Sequence, residues 1–553
     1  MTLKDFIKRY IFAFKLRTLF LCSVWMLGAM FLYALVPDDI NDGRSRSDKK
    51  IELIHSDILY KNSDDPRADV LVGNVALSHE GAFLYCDSAK YYKDENSFDA
   101  FGHVKMVQGD TLSLNSDTLY YNGVFMTAKA RGRVQLDHKK TRLVTEHLDY
   151  DRIYDVGMFM NGGTLYDGEN VLVSDWGQYT PYLHEAFFTD NVELTNPNFT
   201  MVSDTLFYNS ATEIAKIVSP TNINAKDGTF VYGLRGNYDT KNGTADLMDR
   251  SYIIRDMRKI VADSMHYNKE LAVSEAFSNV VVTDDENLSM LKSNYCMYND
   301  STGYFMATDS AVVMEYSSGD TLYIHGDTLK MFTYNMDTDS VYRHLHCYHK
   351  VRMYRTDIQA VCDSMVSKSE EYCTYLYGQP IIWNVNQQLF GEEIRVYNND
   401  STIDSVHVIN QAMTVEQLDS VSYNQVASKE MFSYFRDGEV YRSEAHGNVY
   451  VVYYMAENDG TRIGVNYTET SKLILYLKDK KVEKIWMPAS VGTMYPLEKT
   501  PADKSKLVGF AWFDYIRPKD KNDIFVWRSK TADKMLKTTE KRVVPLQKLE
   551  DIK

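Results

Sequence analysis

The sequence predicts an all-β, repetitive, elongated protein, and three observations carry that expectation. Strand-forming residues dominate: there are 41 tyrosines, with Val, Ile and Thr spread along the chain and few stretches of helical period. The chain has only 11 prolines among 553 residues and no Pro- or Gly-rich linker dividing it. It also repeats itself at intervals of about thirty residues, the mark of a tandem array in which each unit buries its apolar face against its neighbours.

The repeat is built on an acidic residue at a position k, an apolar residue at k+2 and Tyr at k+4. The k positions read as Asp87, Asp117, Glu146, Asp175, Asp204, Leu234, Asp263, Asn294, Asp327, Asp363, Glu393 and Glu430, spaced 29 to 37 residues apart, with a weaker start at Ser56. The Tyr positions are Tyr91, Tyr121, Tyr150, Tyr179, Tyr208, Tyr238, Tyr267, Tyr298, Tyr397 and Tyr434, with Met331 and Ser367 as exceptions. A second motif, Gly-x-Val-x-apolar, follows most k positions by 17 to 20 residues, its rhythm set by Gly73, Gly102 and Gly132. Residues two apart share one face of a strand, so each unit supplies at least two half-buried strands. The glycines suit a turn or bulge with positive φ, and the acids suit strand-entry turns. A dozen equivalent acids do not make one converging catalytic constellation, so they are expected to be structural. GDTLSLNSDTL at 109–119 and GDTLYIHGDTL at 319–329 agree at seven of eleven positions, which supports duplication.

The inward apolar candidates are Val75, Leu77, Ala89, Tyr91, Val104, Met106, Leu119, Tyr121, Val134, Leu136, Leu148, Tyr150, Val192, Leu194, Leu206, Tyr208, Met265, Tyr267, Val280 and Val282. Aromatic stripes can stack sugars or bases, but strand-borne Tyr at fixed register is more often core or sheet surface.

Lys4, Lys8, Arg9, Lys15 and Arg17 precede an uncharged stretch from Leu19 to Val36, long enough to span a bilayer with its basic flank cytoplasmic. Residues 1–36 therefore read as a basic flank with a transmembrane, signal-anchor or signal segment, and 37–50 as a linker. Repeats follow over 51–240 and 241–495. Beyond them, 496–553 reads as a cap and charged tail, with Phe510, Trp512, Phe513, Phe525 and Trp527 covering the last strand edge.

The net charge of −15, with acids scattered throughout, argues against a nucleic-acid partner. Cys22, Cys86, Cys296, Cys347, Cys362 and Cys373 form no CxxC pair. Cys86 and Cys362 precede equivalent repeat positions, as small buried hydrophobes would. His344, His346, Cys347 and His349 make the densest ligand-like cluster, but no second ligand pair with zinc spacing follows, and no metal is expected. No nucleotide, metalloprotease or hydrolase motif marks a cofactor or a catalytic residue.

The pattern of Gly73-Asn74-Val75, Cys86-Asp87-Ser88-Ala89 with Tyr91, and Gly102-His103-Val104 resembles the OstA-like (organic solvent tolerance) family, clearest over 51–240 and continuing to about 490. The resemblance implies an open, V-shaped antiparallel β-jellyroll whose interior carries lipopolysaccharide acyl chains. It implies a periplasmic, non-enzymatic transport protein supporting outer-membrane assembly, with other jellyroll components of a lipid bridge as partners by edge-strand pairing. The inner membrane would hold it by residues 19–36, unless it is exported after cleavage or associated with the outer membrane. Two other readings are a carbohydrate-active enzyme on a β-helix, which needs parallel coils, and a structural or adhesive β-solenoid, which needs a dry, side-chain-filled interior.

Overall fold

The computed structural model describes residues 47–530, apart from positions 256, 318, 337, 400, 401, 458, 459 and 480. The expected apolar segment at 19–36 and the end of the charged tail lie outside the described residues. Among the described residues no helix is long and apolar enough to cross a membrane.

The fold is all-β, and all the strand pairings described below are antiparallel. The parallel coils that a β-helix enzyme requires are thus not the way these strands pair. The described residues form two compact units, one running to 161 and including 180–182, the other comprising 162–179 and the residues from 183 onward.

In unit 1 the strands Asp69–His79, Ala82–Tyr92, Ser97–Gln108, Leu112–Asn122, Thr127–His138 and Thr141–Asp151 pair in sequence order as a meander. Each pairing breaks register once near its middle, where two residues of one strand adopt positive φ. The pairs are Gly73-Asn74 (φ 79° and 44°), Gly102-His103 (73° and 41°) and Gly132-Arg133 (76° and 45°). This bulge bends the strand into two halves. The acid of the preceding strand closes each bend: Asn74 Nδ2 donates to Asp57 at 2.9 Å, His103 Nδ1 meets Asp87 at 2.8 Å, and Arg133 donates to Asp117 at 2.6 Å. A Cβ on Gly102 would lie 2.3 Å from Asp87 Oδ2, so glycine is required there for space as well as for φ. The acids of the repeat are corner closers, and the first is Asp57, one residue beyond the Ser56 start that the sequence suggests.

Unit 2 repeats the device with less glycine. Asp190-Asn191, Ser278-Asn279, His349-Lys350 and Asn410-Gln411 hold the positive-φ pairs, positions that Asn, Asp and His tolerate better than most residues. Asp175, Asp263 and Asp327 accept from Asn191, Asn279 and Lys350 at 2.7, 2.6 and 3.1 Å. At the following corners Gly378 sits against Asp363, Glu392 accepts from Gln411 at 2.6 Å, and Lys429 sits against Gly447. The repeat positions are therefore 392 and 429, not Glu393 and Glu430. A slip of one residue reverses the face of every side chain, so Tyr397 and Tyr434 point outward, and the inward positions are Val396 and Ser433.

The aromatic residues after 505 do not cap the last edge. They run back along the outer face of unit 2: Phe510 and Trp512 pack on Met413, Val415, Tyr423 and Val452, and Phe513 and Ile516 pack on Val361, Ile381 and Trp383. Phe525 stacks on His325 and Trp527 on Arg352. Three buried glutamines fix this segment, two of them by its backbone. Gln425 accepts from Leu507 N–H at 2.8 Å and donates to Ser505 O at 2.9 Å; Gln388 accepts from Phe513 N–H at 2.8 Å and donates to Ala511 O at 2.9 Å; Gln359 accepts from Arg517 Nε at 2.7 Å. The terminal strands Lys481–Trp486 and Val491–Pro496 stay exposed instead.

Candidate functional site

Bending a strand at a corner turns its two halves into two facing walls, and alternate residues of both walls point into the space between them. In unit 1 one inward row reads Leu77, Leu84, Met106, Leu114, Leu136, Leu143 across successive partners, and the facing row reads Leu71, Ala89, Ala100, Leu119, Ala130, Leu148. Nearer the mouth, the Tyr positions alternate with other residues: Tyr91, Phe98, Tyr121, Ala128, Tyr150, Gly157.

Eighteen of the twenty candidates are buried at 7% exposure or less, and Tyr267 and Val282 are half-buried. All twenty therefore face inward, and in unit 1 they pack on each other. A half-open space beside Leu77, Met106 and Tyr121 holds only about 10 Å³, no more than one water.

Polar groups lace the mouth of unit 1. Arg152 donates to Gln108 Oε1 at 2.8 Å, His79 O at 3.2 Å, Tyr121 Oη at 2.6 Å and Glu80 O at 3.0 Å. Residues 47–51 lie over the same mouth. Lys49 O accepts from His79 Nε2 at 3.1 Å and Asn96 Nδ2 at 3.0 Å, and Ile51 O accepts from Tyr91 Oη at 2.8 Å. With Nε2 donating, His79 Nδ1 accepts from Tyr121 Oη at 2.8 Å, the neutral imidazole. Burial pushes its pKa below 6.5, and Arg152 adds to the shift.

Unit 2 carries matching rows. One runs Leu165, Leu172, Leu194, Met201, Ile223, Val231, Ile253, Ile260, Val282, Leu291, Val313, Ile324, Met353, Ala360, Ile382, Leu389, Thr414, Val426 and Val451. Its mouth is bridged early: Tyr208 donates to Asp167 at 2.7 Å, and Asn170 donates to Tyr208 Oη at 3.0 Å and to Thr240 Oγ1 at 2.9 Å. Arg255 reaches Asp300 at 3.3 Å.

No metal-binding group of three His, Cys, Asp or Glu occurs among the described residues. Cys347 faces inward, paired with Leu329 and Met365, whereas His344 and His346 occupy the opposite face, so these side chains do not converge. Cys86, Cys296, Cys347, Cys362 and Cys373 are buried free thiols; burial pushes Cys86 up to about 11 and Cys362 up to about 12. Sequence reasoning missed the lacing residues Arg152, Asn96, Asn170 and Asp167. All lie in or beside turns, and a polar residue at a turn gives no sign of which wall it faces.

Together these features define an all-β protein whose bent antiparallel strands enclose apolar interiors. Among known families, residues 48–204 match the family described as OstA-like protein. A search of curated proteins finds no match.

Proposed function

We propose that the protein is a non-enzymatic lipid carrier of a bacterial-type cell envelope, working on the periplasmic side. It holds the acyl chains of lipopolysaccharide, or of a related lipid, between the facing walls of an open β-jellyroll. The observation that carries this reading is the continuity of the inward rows. In unit 2 the row from Leu165 to Val451 contains a single hydroxyl, Thr414, among apolar side chains, and each methylene placed on such a lining gains about 0.8 kcal/mol. The OstA-like match supports an envelope role, and the inward rows that hold the twenty candidates are the proposed lining. Residues 19–36 would anchor the chain or direct its export.

Exposed strand edges supply the means of joining other jellyrolls. At the start of unit 1, Ile54, Ile58, Leu59 and Tyr60 are 52 to 57% exposed; at the end of unit 2, Ile485 and Met494 are 53% and 64% exposed. An unpaired edge is a template for a partner strand.

One observation favours a second reading. The laced, filled interior of unit 1 is what a purely structural solenoid would have. Photo-crosslinking separates the two. The full chain, mixed with a phospholipid bearing a diazirine in one acyl chain, is expected to form covalent adducts at inward residues. Absence of adducts throughout the chain would leave the structural reading standing.

A further inference from the structure

The row nearest the mouth changes character along unit 2. It reads Ala186, Tyr208, Ala215, Tyr238, Ala245, Tyr267, Ser274, Tyr298, Phe305, and then Met331, Leu345, Ser367, Thr374, Val396, Val406, Ser433, Ser443. From Tyr208 to Tyr298 every second position carries a ring, Phe305 adds one more, and afterwards none does. In the facing row Leu165, Leu172, Leu194, Met201 and Ile223 are at most 3% exposed; Val231, Ile253, Ile260 and Val282 are half-buried beside the rings, and Met353, Ile382, Leu389, Thr414, Val426 and Val451 are half-buried where no ring stands opposite. A wall that loses its filling tends to close on itself, because interiors pack without voids. Over this same stretch, however, the outer face of one wall is held by the returning C-terminal segment, bound through Gln359, Gln388 and Gln425. The wall is braced from outside where no ring of the mouth row stands opposite it.

We propose that acyl chains are held in the part of unit 2 between Met331 and Val451, and that the tyrosine-filled rows before it exclude them. The ligand class is a long-chain amphiphile with its chain against Met353, Ile382, Leu389, Val396 and Val426 and its polar end at the mouth. Ser367, Thr374, Ser433 and Ser443 make room by being small. Affinity rises about fourfold for each methylene that this lining covers. The inference rests on the lipid-carrier reading, and it adds where the lipid sits.

The test maps adducts on the full chain. The probe is a phospholipid with a diazirine midway along one acyl chain, in vesicles of phosphatidylethanolamine and phosphatidylglycerol, and adducts are located by peptide mass spectrometry. Adducts are expected on peptides within 331–451. Ser433→Tyr and Ser367→Phe, which restore rings to the row, are expected to lower the yield at least tenfold while the far-ultraviolet circular dichroism stays unchanged. Should either variant misfold, Tyr298→Ala is the complementary one, and it is expected to extend adducts to peptides upstream of 298. Adducts confined to residues 69–298, or ring variants that fold and label as before, overturn the location and leave the carrier reading intact. Adducts nowhere overturn both.

Discussion

Replacing Arg152 by Met keeps the aliphatic stem and removes the guanidinium that spans the mouth of unit 1. Four hydrogen bonds are lost, at 2.8, 3.2, 2.6 and 3.0 Å, and the residue is 6% exposed. Hydrogen bonds to a charged group contribute roughly 1.5–3 kcal/mol each when buried. Four of them do not add, since Tyr121 keeps His79 as a partner and water can reach the carbonyls of His79 and Glu80 once the arginine is gone. A net loss of about 3 kcal/mol is expected, which is roughly a hundredfold in an opening equilibrium. In a repeat protein of two units a global melting curve would register the loss without placing it in unit 1. Hydrogen exchange read by mass spectrometry isolates it. Peptides covering 79–81 and 119–122 should exchange about a hundredfold faster in Arg152→Met, while peptides of unit 2 stay as they were. Arg152→Lys should recover only part of the protection, because an ammonium cannot reach both walls with the same fork. If the unit 1 peptides change by less than about threefold, roughly 0.7 kcal/mol, the lacing does not hold the mouth closed.

Further outcomes follow from other particulars. Gly102→Ala puts a Cβ 2.3 Å from Asp87 Oδ2 at φ 73°, and a loss of about 2–4 kcal/mol in urea denaturation is expected from strain and clash together; adding Asp87→Ala should return part of it, and a strictly additive double-mutant cycle would contradict the corner account. His79 has its pKa lowered by burial, so its contribution is fully present above 6.5, and falls as pH drops from there toward the folded value while the unfolded chain gains the proton; the melting temperature of the wild type should therefore decline more steeply below pH 6.5 than that of His79→Gln. Gln388→Ala orphans the Phe513 N–H and the Ala511 carbonyl, at a cost of about 1–3 kcal/mol for a buried group left unpaired, and limited proteolysis should cut earlier within 505–530. The thiols of Cys86 and Cys362, raised by burial to about 11 and about 12, should resist iodoacetamide at pH 8 in the folded protein and react only on unfolding.

Much of this architecture is legible in the residues. A thirty-residue period with apolar side chains two apart fixes paired strands and the faces they share, because a strand offers only two faces. Gly73, Gly102 and Gly132 announce the corners, since few other residues accept positive φ beside a carboxylate. The corners at Asp190-Asn191 and Asn410-Gln411 are silent by comparison, being made of residues common in any polar turn, and the loss of that marker is why Glu393 stands in the apparent pattern for 392; at Gly447 the marker is present, but the corner position holds Lys429 and no acid, so Glu430 takes its place. The sequence of acids also leaves their purpose open until their partners across the bulge are visible.

What the sequence alone determined, then, is the all-β repeat, the apolar positions that share a strand face and the buried character of Cys86 and Cys362. The tertiary structure decided what local pattern cannot hold. Whether an interior is filled depends on the side chains of two walls meeting across it, Tyr121 against His79 or Tyr208 against Asp167. Which outer face stays bare depends on a segment more than eighty residues away, where Gln425 meets Leu507. Periodicity records the face on which a residue lies; only packing records what stands opposite.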